Sequence, residues 1–224
     1  MSVFTNRIDI LISPWSVSTQ TMEDHGISEV NFKPMIKRVL VVLLIIVAAL
    51  LLTDYSYMQK DMEPNFLAKE MTDLENMLPY LEYQKDSISK VSVAWHMDHS
   101  LKVINRITDS LRCSDSKDYH YFPNPLRMLV FATGKITRGK GRAPEVVLPP
   151  STIVLKDILL QFEEAGRNLR FLDSMHHQSH FRHPAFDTLN LKASKRFIDI
   201  HTNHHLEIMK DIISVTGNKS PHKN

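Results

Sequence analysis

The sequence has few of the residues that build disulfide-stapled or strand-rich domains. A single cysteine, Cys113, occurs in 224 residues, which excludes an intrachain disulfide and a cysteine-ligated zinc cluster. Only six glycines are present, and β-branched residues seldom alternate with polar ones, so helices are favoured over sheet. The formal net charge of +2 is too small to indicate a nucleic-acid partner, and we expect none.

The rest of the composition is that of a globular protein. Hydrophobic residues make up 43% and charged residues 23% of the chain, which is enough to form a core. The length suits one domain of ordinary size plus an appendage.

The longest apolar run lies near the N-terminus, at residues 39–52. A helix over these residues is about 21 Å long, short of the hydrocarbon core of about 30 Å. Met35 and Ile36 lengthen the run, and Lys37 and Arg38 can extend to the membrane interface. The run has no polar face, unlike a surface helix of a soluble domain, although a buried core helix would share this pattern. We therefore predict a transmembrane helix.

The flanks of this run indicate a retained signal anchor. A cleaved signal peptide is the nearest alternative, but no small-x-small cleavage site follows Leu52. The positive charges precede the run, so the N-terminus should be cytoplasmic and residues 60–224 extracytoplasmic. We predict a single-pass membrane protein whose anchor spans residues 35–58 and contacts the lipid bilayer through residues 39–53.

The two ends of the chain read as appendages. Residues 1–34 are polar and without periodicity, so we expect them to be disordered. Alternatively, translation begins at Met35, and residues 1–34 belong to an over-long gene prediction. Residues 218–224 read as a tail, which leaves residues 60–217 as the folded domain.

Apolar periodicity predicts four long helices in that domain. They cover residues 61–84, 91–111, 153–175 and 190 or 191 to 217, with Ser151 and Thr152 capping the third. A short helix is expected at 125–134, and a histidine-rich turn at 176–184. The long connection between the second and third helices predicts an all-α four-helix bundle with one crossover.

Histidines on two of these helices suggest a metal site in the bundle core. His201 and His205 stand four residues apart on a face shared with Phe197, so both point toward the core. Neutral imidazoles in an apolar setting suit a divalent transition metal, Zn²⁺ or Ni²⁺ above all. His99 shares a face with Trp95 and is the better candidate for a third ligand. His96 is a second candidate for burial, and His204 competes with His205.

A basic, glycine-containing loop covers residues 134–144. Its cations are Lys135, Arg138, Lys140 and Arg142, and it contains no acidic residue. It can be interpreted as an anion-binding loop at the mouth of a site or as a solvated surface loop. Its spacing does not match a P-loop, so nucleotide binding is not indicated.

Several motifs together resemble the DinB/YfiT-like superfamily of metalloenzymes, and one uncharacterised branch of it in particular. They are Trp95-x-x-x-His99 with the residues up to Val103, the segment from Gly134 to Lys140, His183-Pro184-Ala185-Phe186, and His201-x-x-x-His205. The resemblance covers roughly residues 65–215. It implies a DinB-type four-helix bundle, the metal ligands His99, His201 and His205, and association as a homodimer. The branch favours glycine where Asp187 stands, so the local turn can differ here.

Two functions are compatible with these features. The first is a metal-dependent enzyme, a transferase or a hydrolase, acting on a small-molecule substrate. His96, Asp98 and His204 could then support the ligands, and the basic loop could hold an anionic cosubstrate. The second is a membrane-anchored binding or structural module in which the buried histidines pack the core or capture metal.

Overall fold

The computed structural model of the chain describes residues 33–59 and 65–217. Side chains are described at residues 35–52 and 65–216. The predictions of a disordered N-terminus and a C-terminal tail therefore concern residues that lie almost wholly outside the described ranges.

The N-terminal apolar run forms one long helix, α1, at Lys33–Gln59. Within the described residues, the stretch Met35–Leu52 of α1 is the one that is long and apolar enough to cross a membrane, judged by length and composition. None of this stretch is buried, which differs from the buried core helix that the same sequence pattern could have indicated. The direction of insertion stays a prediction.

Residues 65–217 form a mostly helical domain. Its helices are α2 (Ala68–Glu75), α3 (Val93–Cys113), α4 (Pro125–Thr133), α5 (Leu155–Leu172) and α6 (Leu191–Gly217), and its strands are β1 (His180–His183) and β2 (Asp187–Asn190). Helix α3 packs against both α5 and α6, while α2 and α4 contact α6. The second, third and last predicted helices, and the short helix α4, are confirmed within a few residues.

The first predicted helix is much shorter than expected. Helix α2 begins only at Ala68, because Asn65 and Leu67 both adopt a left-handed backbone with φ of 66°, which a right-handed helix cannot continue through. Leu67 is 5% exposed, so packing of its side chain helps to stabilise this unusual conformation. As Pro79 predicts, α2 ends before the proline, which lies in one turn of 3-10 helix.

The histidine-rich segment was predicted to be a turn, but part of it forms a strand. The domain is therefore not entirely helical. Strand β1 pairs antiparallel with β2, so that His180 faces Asn190 and His183 faces Asp187. Asp187 has φ of 63°, a conformation that glycine adopts most readily and that aspartate tolerates better than most residues. Asp187 thus fills a position that suits glycine.

Side chains cap three helices of the domain, and at the start of α6 Asn190 Oδ1 accepts a hydrogen bond from the Ala193 amide. The Ser92 hydroxyl accepts a hydrogen bond from the Trp95 amide at the start of α3, and Asn124 Oδ1 accepts one from the Arg127 amide at the start of α4. The predicted capping of α5 by Ser151 and Thr152 is wrong. Ile153 packs against the core in non-helical chain, and α5 begins only after Val154, whose side chain makes no cap.

The two faces of α3 differ in character. Toward α5, side chains seven residues apart form a polar seam, which we call the α3–α5 seam; its members are Asp98, Asn105 and Arg112 on α3 and Gln161 and Asn168 on α5. The apolar core gathers α3 and α6 with contributions from the other elements, and its fully buried side chains include Met97, Leu101, Ile104, Ile198, Leu206 and Met209. The candidate site lies where α3 meets α6.

Candidate metal site between α3 and α6

His99 of α3 and His201 and His205 of α6 come together, and we call them the histidine trio. One ring nitrogen from each lies within 4.8 Å of those of the other two. Their side chains are only 4%, 9% and 7% exposed. They are the three ligands predicted from the sequence, and these three buried histidines could hold a metal ion.

Local helix geometry explains why the trio forms. His201 and His205 are one turn apart on α6, and their ring centroids are 4.5 Å apart. On α3, Trp95 precedes His99 by one turn and stacks on its ring, with centroids 5.1 Å apart. The His99 imidazole also contacts α6, with its centroid 4.9 Å from that of His205.

A backbone carbonyl orients His99. The Nδ1 atom of His99 lies 2.8 Å from the carbonyl oxygen of Val147. Since a carbonyl only accepts, His99 carries its proton on Nδ1, and Nε2 keeps its lone pair. Lys102, one turn farther along α3, donates to the next carbonyl, that of Leu148, at 3.2 Å. These two bonds fix the segment 147–148 to α3 and leave His99 in the tautomer that a metal ligand needs.

A further histidine supports His205. His96 is 4% exposed, and its Nδ1 lies 2.9 Å from Nδ1 of His205. The other nitrogen of His96, Nε2, lies 2.9 Å from the Ser89 hydroxyl oxygen. Nδ1 of His205 is thus occupied by a neighbouring side chain, and its Nε2 is the nitrogen left for a ligand.

His201 has an unsatisfied nitrogen. Its Nδ1 is buried and has no hydrogen-bond partner among the described residues. A buried polar atom without a partner is costly and needs a physical explanation. A metal ion among the three imidazoles fits this donor set, since two of the rings are oriented by neighbours and the third has a buried nitrogen to satisfy.

The trio is neutral near pH 7. Burial lowers the pKa of His99 below its ordinary value of 6.5, although the bond to Val147 opposes the shift. Burial lowers the pKa of His201 and His205 much further, and neighbouring histidines add to the effect. Neutral imidazoles bind metal without first losing a proton.

The other predicted residues occupy different positions around the trio. His204 is half-buried, and its ring centroid is 5.1 Å from that of His205, but it is not a member of the trio. Asp98 is buried in the α3–α5 seam, where its oxygens lie 2.7 Å from Gln161 Nε2 and 2.6 Å from Lys102 Nζ. Asp98 therefore contributes to the orientation of α3 and is occupied by partners of its own.

One cation of the basic loop, Arg138, lowers the pKa of histidines near the site. Arg138 forms an ion pair of 2.8 Å with Asp211 of α6. Burial is the main cause of the lowered pKa of both His96 and His204, and the charge of Arg138 lowers both further. The remaining cations, Lys135, Lys140 and Arg142, are exposed. Arg138 is thus the loop cation whose charge reaches the histidines.

The sequence did not predict the positions of two residues near the trio, His183 and Ser89. His183, expected in an exposed turn, stacks on Phe186 with centroids 4.4 Å apart and lies edge-on to Phe197 at 4.5 Å. Its Nδ1 accepts hydrogen bonds from the amides of Ala185 and Phe186, and burial lowers its pKa to about 4. Ser89, the partner of His96, carries no signal in the sequence that marks it.

The segments that carry the sequence resemblance border α6. Phe197 lies between His183 and His201, with centroids 4.5 Å and 5.4 Å away, and Arg138 pairs with Asp211 on the same helix.

A comparison of the chain with protein-family models, with curated proteins and with solved structures finds no match.

Proposed function

We propose that this protein is a membrane-anchored, divalent-metal-dependent enzyme of the transferase or hydrolase class, with His99, His201 and His205 as its metal ligands. The observation that carries the proposal is the histidine trio itself: three neutral, buried imidazoles from two helices, with their nitrogens within 4.8 Å of one another. Zn²⁺ and Ni²⁺ are the ions that suit such a donor set best.

Three protein ligands suggest a catalytic rather than a purely structural site. Structural zinc sites are closed by four protein ligands, whereas catalytic sites keep one position open. A divalent metal held there supplies Lewis acidity, which generates a nucleophile from water or a thiol near neutral pH. The chain itself orients His99 through Val147 and contacts His205 through His96.

The resemblance to the DinB/YfiT-like superfamily supports the same proposal. In this interpretation, α2, α3, α5 and α6 form the four-helix bundle, and the connection from α3 to α5 is its crossover. The anchor at residues 35–58 would place the domain at the extracytoplasmic face of the membrane. Homodimer formation stays a prediction.

The charges around the site favour an anionic substrate or cosubstrate. The trio has no carboxylate among its members, so a divalent ion held by it would keep its full double charge. Arg138 lowers the pKa of His96 and His204, although its ion pair with Asp211 offsets part of its charge. Lys135, Lys140 and Arg142 would raise the local concentration of an anion, as exposed charges of one sign do.

Metal content is the first test of this proposal. The full chain is purified from detergent without a polyhistidine tag, next to His201→Ala/His205→Ala and the control His176→Ala/His177→Ala. The control removes the same number of histidines from exposed positions. We expect about one equivalent of metal in the wild type and in the control, and none in the first variant.

A wild type that binds no metal, with a first variant that is merely less stable, would contradict the enzyme proposal. It would favour the second candidate, a non-catalytic binding or structural module. One observation agrees with that alternative: the histidine rings link α3 to α6 by direct contact, with centroids 4.9–5.1 Å apart for His99 with His201 and His205. Such contacts stabilise packing even without an ion.

A further inference from the structure

His205, His96 and Ser89 form a chain of hydrogen bonds that leads away from the trio. Both links are 2.9 Å long, from His205 Nδ1 to His96 Nδ1 and from His96 Nε2 to Ser89 Oγ. In each neutral imidazole one nitrogen donates and the other accepts. The three side chains must therefore arrange their protons together, and only two arrangements satisfy both bonds.

In the first arrangement the Ser89 hydroxyl donates to His96 Nε2, and His96 Nδ1–H donates to His205 Nδ1. His205 then carries its own proton on Nε2, the nitrogen that remains for a metal. In the second arrangement every bond is reversed. His205 Nδ1–H donates to His96 Nδ1, and His96 Nε2–H donates to Ser89 Oγ. Only the second arrangement leaves a lone pair on His205 Nε2.

We propose that His96 and Ser89 are positioning residues that hold His205 in its Nδ1–H tautomer, and that metal binding selects this direction of the hydrogen-bond chain. The inference rests on the proposed metal site. The ring nitrogen of a histidine ligand that does not bind the metal ordinarily donates to a carboxylate, a backbone carbonyl or water. Here a second buried histidine performs that task for His205, while a carbonyl performs it for His99.

The surroundings of Ser89 are compatible with the second arrangement. Its oxygen already accepts a bond from the Val91 amide at 3.3 Å. A hydroxyl oxygen has two lone pairs, so it can also accept from His96 Nε2–H. Its own proton is then free to point to solvent, which a half-buried serine can reach. Metal occupancy at the trio would therefore be coupled to the direction in which the Ser89 hydroxyl points.

The test compares two substitutions of His96. His96→Asn places an amide oxygen near the position of Nδ1, so it keeps an acceptor for His205 Nδ1–H and loses the bond to Ser89. His96→Leu has a similar volume and no acceptor. Zinc affinity is measured by competition with a chromogenic chelator on the full, untagged chain in detergent, with His177→Leu as a control for loss of an exposed histidine.

We expect His96→Leu to weaken zinc binding by about 10- to 100-fold, the usual effect of removing the hydrogen-bond partner of a metal ligand. His96→Asn and Ser89→Ala should each lose less than His96→Leu, and His177→Leu should match the wild type. Circular dichroism checks that each variant is folded. A folded His96→Leu that binds zinc within about twofold of the wild type would overturn the inference and leave the metal site intact.

A second readout does not depend on affinity. Long-range ¹H–¹⁵N spectra of the histidine-labelled protein distinguish protonated from unprotonated ring nitrogens. In the zinc-loaded wild type we expect the proton of His205 on Nδ1 and that of His96 on Nε2. Protons at the opposite nitrogens would overturn the inference. A wild type that binds no zinc would refute the metal site and the inference with it, an outcome distinct from loss of the effect at His96 alone.

Discussion

At the scale of single residues, His183 couples the stability of the domain to pH. Burial lowers its pKa from 6.5 to about 4. Between these values the unfolded chain binds a proton that the folded chain does not, so acidification favours unfolding. The stabilisation is fully present above about pH 6.5 and is lost as the pH falls toward 4. The loss from this one group is at most about 1.4 kcal/mol per pH unit.

We expect urea denaturation of the metal-free protein to give a free energy of unfolding that falls from about pH 7 to about pH 5. His183→Asn keeps an acceptor for the amides of Ala185 and Phe186 and removes the titrating group. Its pH dependence should be shallower than that of the wild type, while His177→Asn should leave the slope unchanged. Equal slopes for His183→Asn and the wild type would contradict this assignment.

Helix periodicity predicted that His99, His201 and His205 face the core, but it left His96 and His204 as competing candidates. The four-residue spacing of His201 and His205, and the position of His99 one turn after Trp95, are local properties of a helix. The contact between His96 and His205 is not local, since it depends on how α6 is rotated and shifted against α3. The bond from His99 to Val147 depends on the path of a connection that no local pattern encodes.

At the scale of elements, the α3–α5 seam sets how two helices align. Asn168 Nδ2 donates to Asn105 Oδ1 at 3.0 Å, and Arg112 donates to Asn168 Oδ1 at 2.9 Å. Asn105 in turn donates to the Gln161 carbonyl at 3.3 Å. The members repeat every seven residues on both helices, so a shift of one turn would leave buried polar groups without partners.

A double-mutant cycle tests the seam. Asn168→Leu alone leaves Asn105 Oδ1 buried and unpaired, and we expect a loss of about 1–3 kcal/mol in the free energy of unfolding. Adding Asn105→Leu removes that unpaired group, so the double variant should be less destabilised than the sum of the two single variants. Urea denaturation measures each corner of the cycle. Strictly additive losses would show that the two amides do not stabilise each other.

The elements that the sequence failed to predict are those with weak local signals. Strands β1 and β2 have four residues each and are rich in polar side chains, so neither shows a run of alternating apolar residues. Helix α2 begins late because Asn65 and Leu67 are left-handed, and leucine gives no warning of such a conformation. Helices α3 and α6 were predictable because their apolar stripes run for five or more turns.

At the scale of the whole molecule, α1 contains a stretch that is long and apolar enough to cross a membrane. Its exposed side chains at residues 39–47 are all apolar and leave no polar face. We expect the full chain to sediment with membranes and to resist extraction at alkaline pH. Arginine at the centre of such a helix costs about 2.5–3.5 kcal/mol per residue. Leu43→Arg/Leu44→Arg should therefore move the protein to the soluble fraction.

The matched control places the same charges at the end of the helix, as Met35→Arg/Ile36→Arg, where side chains reach the interface. This control should stay in the membrane fraction. Extraction of the wild type by alkaline carbonate would contradict a membrane span. A fragment that begins after Leu52 and is found in the medium or periplasm would indicate the cleaved signal peptide instead.

The segment 145–147 lies in a long connection, and it orients one histidine of the trio. It forms one turn of 3-10 helix, and the Val147 carbonyl at its end holds the Nδ1 proton of His99. Connections of this kind usually tolerate shortening and chain cleavage. Here a deletion between residues 134 and 144 would pull on the hydrogen bond to a histidine of the trio. Insertions and cuts in this connection can therefore disturb the orientation of His99 without changing any residue of the trio.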